Sequence, residues 1–297
     1  MLNFNLLRVF YAVARTRSVV RAAEKLYISQ PAVSSGLKKL QQRYGISLFA
    51  KEGRNLVLTK DGEQLLDIAE KIFAAEKEAE HFLASLENPQ NITIHLGLVT
   101  LYERSGVPDI IEQFKSVNKK ITLSIHSGNS KSLTQRLLSH EIDMAISSDV
   151  ANIKFENTFF YKKHRIFLVV PEGHRLFGKR VFDPEALQNE NVLLKEVGSA
   201  VRANVDNYIR SNNIRLNVFS ELSNFDSMLD IMQNDNCIAF FPDDIVSHLH
   251  LGEEGFSVLE PRQPIEFSTY IYLRKVSSYP ESIKKYLTEI IGHLKSA

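Results

Sequence analysis

Polar side chains that can bind nucleic-acid bases recur at helical spacing between residues 30 and 42. Gln30 and Ser34 are four residues apart, and Ser35 and Lys38 continue the same exposed face, which contains no acidic residue. Amide and hydroxyl groups can pair with base edges in a major groove, and an ammonium group can bind phosphate. The segment therefore has the chemistry of a helix that lies in a DNA groove.

The charge distribution along the chain agrees with this interpretation. Residues 1–60 contain 11 lysines and arginines but only two acids, Glu24 and Glu52, whereas residues 61–90 contain two basic and eight acidic residues. The net charge of the whole chain is only +1 because these segments cancel. A basic head on a near-neutral body indicates a nucleic-acid-binding domain joined to a second module. A solvated basic surface without a partner is the alternative.

Three short helices are predicted to position the polar face. The apolar stripe in residues 4–13 predicts the first helix. Ser18 is a candidate N-cap of a very short second helix, and Ser29 is a candidate N-cap of the third. Gly45 is suited to end the third helix. Two helices joined by a tight turn are therefore expected, with the polar face on the second of them.

A hairpin is predicted directly after the third helix. Two strand-like runs, residues 48–51 and 56–59, flank a turn-forming tetrapeptide that contains Arg54. From the tip of such a wing, Arg54 could reach an adjacent minor groove or a phosphate. An exposed loop arginine is also often only solvated.

An apolar seam follows, along a predicted helix that begins near Thr59. Its members are spaced alternately three and four residues apart, and they are Leu65, Ile68, Ile72, Ala75, Ala79, Phe82 and Leu86. Acidic residues crowd the rest of this helix, so the seam is expected to be its only apolar face. A narrow seam of three heptads favours pairing with another helix, and we predict a dimerisation helix. Packing against its own domain is the alternative.

Alternating strand and helix patterns occupy the rest of the chain. Between residues 92 and 147, three strand patterns alternate with two helix patterns. A second succession runs from about residue 165 to 241, and a last strand and helix follow in residues 268–294. This order predicts a mostly parallel sheet with helices on its faces.

Length and composition limit the class of protein. With 297 residues, 44% of them hydrophobic and 24% charged, the chain is expected to form two or three globular domains. The single cysteine, Cys237, excludes an internal disulfide and a four-cysteine metal site. The N-terminal segment has no signal-peptide pattern, and no run approaches the ~20 apolar residues of a membrane span. We therefore expect a cytoplasmic protein.

Short motifs at fixed spacing resemble the LysR-type transcriptional regulators of bacteria over essentially the whole chain. In the first 62 residues the motifs are Phe10-x-x-Val13-Ala14, Ser18, Ala22-Ala23-x-x-Leu26, Ser29-Gln30-Pro31-Ala32-Val33-Ser34, Leu37-x-x-Leu40, Tyr44-Gly45-x-x-Leu48-Phe49 and Leu58-Thr59-x-x-Gly62. Weaker matches in the body are Ile142-Asp143-Met144-Ala145-Ile146, Val170-Pro171-x-x-His174-x-Leu176 and Ile238-Ala239-Phe240-Phe241-Pro242. The first set is highly specific because its pieces occur together.

The resemblance implies a multidomain α and α/β architecture. A winged helix-turn-helix DNA-binding domain is expected at residues 1–58 and a coiled-coil linker helix at 59–88. A two-lobed α/β effector domain like a periplasmic binding protein is expected at 92–297. Its lobe I is predicted at about 92–161 and 269–297, and its lobe II at about 162–268.

The resemblance further implies a sequence-specific regulator that binds double-stranded DNA as a homodimer or homotetramer and acts on RNA polymerase. The predicted DNA-binding residues are Gln30 and Ser34 for base edges, Pro31 and Val33 for helix placement and apolar base contact, and Ser35, Lys38 and Arg54 for phosphate or groove contacts. Family members usually carry a long polar side chain at position 36 that helps to contact DNA. Because Gly36 offers none, we expect one contact to be missing.

A small-molecule effector is implied between the two lobes. Strand ends and helix starts meet there, and free N–H groups at helix N-termini favour an anion. The predicted effector-binding residues are Thr100, Leu101, Asn129, Ser130, Ser147, Ser199, Arg202 and Asn224. Arg202 is predicted to pair with a carboxylate of the effector. Each serine or asparagine in this set could instead be only a helix cap.

An enzyme is the main alternative from a different class. The sequence contains no G-x-S-x-G, no phosphate-binding G-x-x-x-x-G-K and no H-E-x-x-H motif. The close pair His248 and His250 has no third ligand in view. We therefore expect no catalytic residue, no metal site and no cofactor besides the effector. A transport solute-binding protein and an architectural DNA-binding protein without an effector are two further alternatives.

Overall fold

The computed structural model describes residues 2–52, 55–87, 92–103, 107–148, 155, 157–253, 255–274, 279 and 281–296. The chain divides into two compact units, an N-terminal unit of Met1–Glu80 and a C-terminal unit of His81–Ala297. None of the described helices is long and apolar enough to cross a membrane.

The N-terminal unit contains helices and a two-stranded hairpin. Its elements are α1 (Phe4–Thr16), α2 (Val19–Leu26), α3 (Gln30–Tyr44), β1 (Phe49–Glu52), β2 (Asn55–Leu58) and the first part of α4 (Lys60–Glu87). The two strands pair antiparallel.

Local capping explains where the short helices begin and end. The hydroxyl of Ser18 accepts from the backbone N–H of Arg21 at the start of α2, and that of Ser29 accepts from Ala32 at the start of α3. Gly45 ends α3 with a φ of 65°, a conformation that glycine adopts without strain. All three predicted caps are confirmed.

One apolar core holds the N-terminal unit together. Side chains from α1, α2, α3 and the hairpin converge in it, and α4 adds the buried Ala69 and Phe73. Two ion pairs hold α4 to α1: Arg8 Nη2 lies 2.5 Å from Glu76 Oε1, and Arg15 Nη1 lies 3.2 Å from Glu70 Oε1. The guanidinium of Arg8 also lies over the Phe73 ring. The first half of α4 is therefore part of the folded N-terminal unit.

The predicted seam on α4 is divided between two environments. Leu65 and Ile72 pack against the core of their own domain, whereas Ile68 is 53% exposed and lies outside that core. The side chains of Phe82 and Leu86 are not among those that the structure describes. The expectation of a single apolar face was wrong, because Leu66, Ala69 and Phe73 form a second face at i, i+3 and i+7 that contacts the core.

The C-terminal unit alternates strands and helices, largely as predicted. Its strands are β3 (Ile92–Val99), β4 (Ile121–Gly128), β5 (Met144–Ser148), β6 (Asn157–Pro171), β7 (Val181–Phe182), β8 (Asn191–Lys195), β9 (Asn217–Leu222), β10 (Ile238–Pro242), β11 (Phe256–Pro261) and β12 (Ile265–Leu273). Its helices are α5 (Val107–Val117), α6 (Ser130–Leu138), α7 (Ala200–Ser211), α8 (Phe225–Asp235), α9 (Asp243–His248) and α10 (Glu281–Ser296).

Two parallel half-sheets form the two lobes of this unit. In lobe I, β3 pairs in parallel with β4 and β5, and in lobe II, β8 pairs in parallel with β9 and β10. Among the described residues the strands join into one sheet of ten, with the main order β4-β3-β5-β12-β6-β10-β8-β9. Parallel strands that alternate with helices along the chain agree with the predicted α/β class.

Two long antiparallel strands, β6 and β12, join the lobes and are termed the hinge strands. The N-terminal half of β6 pairs with β12, and its C-terminal half pairs with β10 and β11. The C-terminal half of β12 pairs with β5 of lobe I. The ladder between the hinge strands shifts register between Thr269 and Tyr270.

Tyr208 on α7 supports a prediction about stability. Its side chain is buried, and its hydroxyl has no hydrogen-bond partner within the described part of the chain. Burial raises the pKa of this phenol to about 12. Because an unpaired buried hydroxyl costs ~1–3 kcal/mol, Tyr208→Phe is expected to leave the free energy of unfolding unchanged or to raise it. Urea denaturation measures this, and a loss above ~1 kcal/mol would show that the hydroxyl is paired.

Candidate functional site

The exposed face of α3 carries the polar residues that the sequence predicts for a DNA groove. Gln30, Ser34, Ser35 and Lys38 are all exposed, and Pro31 is exposed in the first turn. The opposite face of α3 packs on the core of the N-terminal unit. The arrangement thus presents hydrogen-bonding groups near the helix N-terminus and an ammonium group two turns further on.

Val33 and Gly36 both lie on the buried side of α3, and the prediction on Val33 needs correction. Val33 is fully buried, so it fixes the helix on the core and cannot make the predicted apolar base contact. Gly36 is buried as well, and a Cβ there would lie 3.3 Å from Cγ1 of Val9. A side chain at position 36 would thus begin against Val9 of α1, and the contact that Gly36 is predicted to lack stays a prediction. Arg54 lies outside the described residues.

A cavity lies between the two lobes of the C-terminal unit, and its space together with the solvent at its mouth is about 320 Å³. Five of the predicted effector-binding residues line it, namely Thr100, Leu101, Asn129, Ser130 and Ser199. The structure adds Lys195, Ser148, Phe225 and Phe267 to its wall, together with Val99, Ala200 and Val201. Lobe I, lobe II and a hinge strand therefore all contribute to it.

Three predicted effector-binding residues lie outside the lining of this cavity. Ser147 is buried next to Ser148, which takes its place. Asn224 caps α8 by accepting from the N–H groups of Asp226 and Ser227. The third is Arg202.

Arg202 is held by groups of the protein itself. Its Nε donates to Asp206 at 2.8 Å, and its Nη1 donates to Glu221 at 2.7 Å and to the carbonyl of Lys195 at 2.9 Å. Its guanidinium therefore binds protein carboxylates in this structure, and the predicted pairing with an effector is not available without breaking these bonds.

The cation of the cavity is Lys195, at the carboxyl end of β8. Lys195 is 3% exposed, its Nζ donates to the carbonyl of Ser223, and Nζ lies 4.2 Å from the centroid of the Phe225 ring. Burial lowers the pKa of Lys195 to about 8, although the nearby carboxylates of Glu196 and Glu103 oppose this shift. The described residues of the cavity wall include no carboxylate, and a buried ammonium in such surroundings strongly attracts an anion.

Two helix N-termini point at the same cavity from opposite lobes. Asn129 caps α6 by accepting from Ser132, whereas the side chain of Ser199 makes no capping hydrogen bond at the start of α7. The first N–H groups of a helix that lacks a side-chain cap need an acceptor and favour negative charge. The start of α7 is therefore a second feature that suits an anion beside Lys195.

The lobes touch each other at the edge of the cavity. The N–H of Lys131 on α6 donates to the carbonyl of Gly198, just before α7, at 3.1 Å. Gly198 has a φ of +100°, and a Cβ there would lie 3.0 Å from Asn129 Oδ1. Glycine thus permits this close approach of the two lobes.

Comparisons with known proteins agree with both parts of this description. Residues 4–63 match the family "Bacterial regulatory helix-turn-helix protein, lysR family", and residues 88–294 match "LysR substrate binding domain". The HTH-type transcriptional regulator CfxR of Cupriavidus necator is 32% identical over 201 residues, which are 68% of this chain and 63% of CfxR.

Two solved structures share the fold. A full-length OxyR variant from Pseudomonas aeruginosa has a TM-score of 0.58 at 19% identity, covering 99% of this chain and 95% of that one. The regulatory domain of CcmR from Synechocystis, in complex with 2-PG, has a TM-score of 0.60 at 18% identity, covering 68% of this chain and 97% of that one. The chain belongs to the LysR family of helix-turn-helix transcriptional regulators.

Proposed function

We propose that this protein binds a pseudo-palindromic DNA site upstream of a target promoter and changes transcription when a small organic anion occupies the inter-lobe cavity. The observation that carries the effector assignment is the buried ammonium of Lys195 beside the start of α7. A carboxylate or phosphate there would gain a charge-assisted hydrogen bond and the N–H groups of the helix.

The ligand of a relative supports the same chemical class. The CcmR regulatory domain, which shares the fold, is solved in complex with 2-PG, a phosphorylated carboxylate. The cavity wall carries the buried ammonium of Lys195 and, among its described residues, no carboxylate, which suits a ligand of this class. We propose an effector with at least one carboxylate or phosphate group.

Self-association through α4 is part of the proposal. Ile68 and Leu83 leave apolar surface on the exposed side of this helix. Pairing two DNA-binding units would supply the half-site spacing that one recognition helix cannot. Analytical ultracentrifugation of Ile68→Glu tests the pairing.

We further propose that the protein acts in the cytoplasm, contacts RNA polymerase, requires no cofactor or metal besides its effector, and is not an enzyme.

The DNA-binding function is tested by selecting sites from random double-stranded DNA with the full-length protein. Binding of the selected site is then measured across a salt series. A pseudo-palindromic winner with a steep salt slope is the expected result. Binding without sequence enrichment would favour an architectural protein, and no binding would refute the assignment.

The proposed contact of Gln30 with a base edge leads to a prediction with a matched control. Gln30→Ala is expected to weaken binding to the selected site by ~5-fold to 150-fold, since a good base contact contributes ~1–3 kcal/mol, while non-specific binding is unchanged. Gln42→Ala removes the same side chain from the exposed C-terminal part of α3, ~18 Å away along the helix. Fluorescence anisotropy should show affinity within ~2-fold of wild type for Gln42→Ala. Equal losses in both variants would contradict the base contact.

A further inference from the structure

Three buried polar side chains and one half-buried carboxylate connect the two lobes beside the cavity, and this group is termed the hinge network. Its members are Tyr102, His164, Thr269 and Asp243. Tyr102 is 1% exposed, and His164 and Thr269 are fully buried. Fully buried polar groups are costly unless every one is paired, so their arrangement is strongly constrained.

Short distances join the members in sequence. Tyr102 OH lies 2.7 Å from His164 Nε2 and 2.5 Å from Thr269 Oγ1, and His164 Nδ1 lies 3.0 Å from Asp243 Oδ1. Burial alone would raise the pKa of Asp243, but hydrogen bonds from His164 and from backbone N–H groups hold that pKa below its ordinary value. A carboxylate only accepts, so Nδ1 of His164 carries a hydrogen and donates it to Asp243.

Each member belongs to a different part of the C-terminal unit. Tyr102 lies in the turn after β3 of lobe I, and Asp243 starts α9 of lobe II. His164 and Thr269 lie on the hinge strands β6 and β12. The hinge network therefore spans lobe I, both hinge strands and lobe II.

The cavity wall contacts the hinge network at two points. Leu101, which lines the cavity, directly precedes Tyr102. Phe267, which also lines it, stacks on the His164 ring with centroids 4.9 Å apart and planes 24° from parallel. A molecule that contacts this wall would therefore lie one residue or one ring away from the hinge network.

The same residues also satisfy the spacing of a cation site. One donor atom each from His164, Asp243 and Asp244 lie within 4.8 Å of one another. However, Nζ of Lys162 pairs with Asp244, and His164 pairs with Asp243. Both carboxylates therefore already have partners from the protein, and the contacts describe a hydrogen-bonded network.

We propose that Tyr102, His164, Thr269 and Asp243 are positioning residues that transmit occupancy of the inter-lobe cavity to the relative orientation of the lobes. This inference rests on the proposed function, because it assigns the regulation of the same effector site. An anion held at Lys195 would contact the wall formed by Leu101 and Phe267. Displacement there shifts the Tyr102 and His164 rings and, through His164, the start of α9 in the other lobe.

The first test needs no ligand. Tyr102→Phe removes one hydroxyl and keeps the ring, and Tyr208→Phe, which removes a hydroxyl unpaired among the described residues of the same unit, is a matched control. In the full-length protein, hydrogen exchange at the start of α9 is expected to rise at least ~3-fold in Tyr102→Phe, on the far side of the hinge strands. Tyr208→Phe should leave it unchanged. Faster exchange confined to the turn after β3 would show a purely local role and overturn the proposal.

The second test measures whether occupancy of the cavity changes DNA affinity. Inorganic phosphate and 2-PG are the probes, and affinity for the selected DNA site is the readout. Tyr102→Phe and, as a second variant, Thr269→Val are expected to bind each probe within ~3-fold of wild type but to lose the change in DNA affinity that the probe causes in wild type. A full change in DNA affinity in both variants would overturn the proposal.

The two proposals fail in different ways. If neither probe binds wild type, the anionic effector of the proposed function is refuted, and the exchange experiment still decides the hinge network. If the probes bind and alter DNA affinity equally in wild type and Tyr102→Phe, the effector stands and the hinge network falls.

Discussion

Replacing Lys195 by methionine is expected to weaken binding of inorganic phosphate, sulfate and 2-PG by at least ~10-fold, because a charge-assisted hydrogen bond contributes ~1.5–3 kcal/mol. Methionine keeps an unbranched side chain against the Phe225 ring while it removes the ammonium group. Isothermal titration calorimetry on the full-length protein measures the loss. Lys131→Met is the matched control, since the exposed Lys131 side chain does not line the cavity.

The stability of Lys195→Met separates lost binding from lost folding. A buried ammonium is costly, so the variant is expected to unfold at the same urea concentration as wild type or at a higher one. Unchanged affinity for all three anions in a folded variant would contradict the assignment of Lys195. Loss of affinity together with early unfolding would point to a structural role instead.

The pH dependence of anion binding follows from the same lysine. Burial lowers the pKa of Lys195 to about 8, and binding of an anion would stabilise the ammonium form and raise this pKa. Affinity is therefore full below pH 8 and falls as the pH rises through 8 towards the higher value of the bound state. Sulfate keeps its charge in this range, and its affinity should fall by about tenfold between roughly pH 7 and pH 9. Lys195→Met should lack this dependence.

Gly62→Ala is expected to destabilise the N-terminal unit by at least ~2 kcal/mol and to abolish binding to the selected DNA site. A Cβ at position 62 would overlap the carbonyl oxygen of Leu48 and lie 3.0 Å from Leu58 Cδ2. The clash would join the backbone of α4 to a backbone carbonyl, and neither can rotate aside as a side chain does. The Leu48 carbonyl also accepts from Thr59, so relief of the clash would separate the hairpin from α4.

The destabilisation by Gly62→Ala is measured by thermal unfolding with circular dichroism. Hydrogen exchange then locates the change in the chain. Exchange should rise in α1 to α3 and remain unchanged in the sheet of the C-terminal unit. Gly292→Ala in α10 is the contrasting substitution, since a Cβ there meets no described atom within 4 Å. It is expected to be neutral or stabilising by up to ~1 kcal/mol. A stable Gly62→Ala protein that binds DNA would disprove the predicted clash.

The sequence was sufficient to predict elements whose signals are local. Ser18, Ser29 and Gly45 act on neighbouring backbone groups within a few residues, and the structure places all three as predicted. The polar face of α3 could be predicted for the same reason. Val33 and Gly36 were harder, because their burial depends on α1, a separate helix earlier in the chain.

The cavity residues that the sequence did not predict depend on contacts between distant segments of the chain. The strand β8 is a short apolar run without alternation, and it was not predicted, so Lys195 at its end was not placed beside the cavity. Ser148 replaced Ser147 because neighbouring strand residues face opposite sides of a sheet. Arg202 is neutralised by Glu221, a partner 19 residues away that periodicity does not reveal.

The hinge strands also limit how lobe I can move and how large a displacement its outer strand can undergo. Because β6 and β12 continue through both lobes in one hydrogen-bonded ladder, a wide opening of the cavity would break backbone pairs. Rotation about these strands preserves the pairs. The outer strand β4 lies four strands from β6, or ~19 Å at ~4.8 Å per strand, so a rotation of ~10° moves it by ~3 Å. Under the proposed transmission, lobe I would act as a lever arm, so that a small rotation at the hinge strands gives a larger shift at its outer edge.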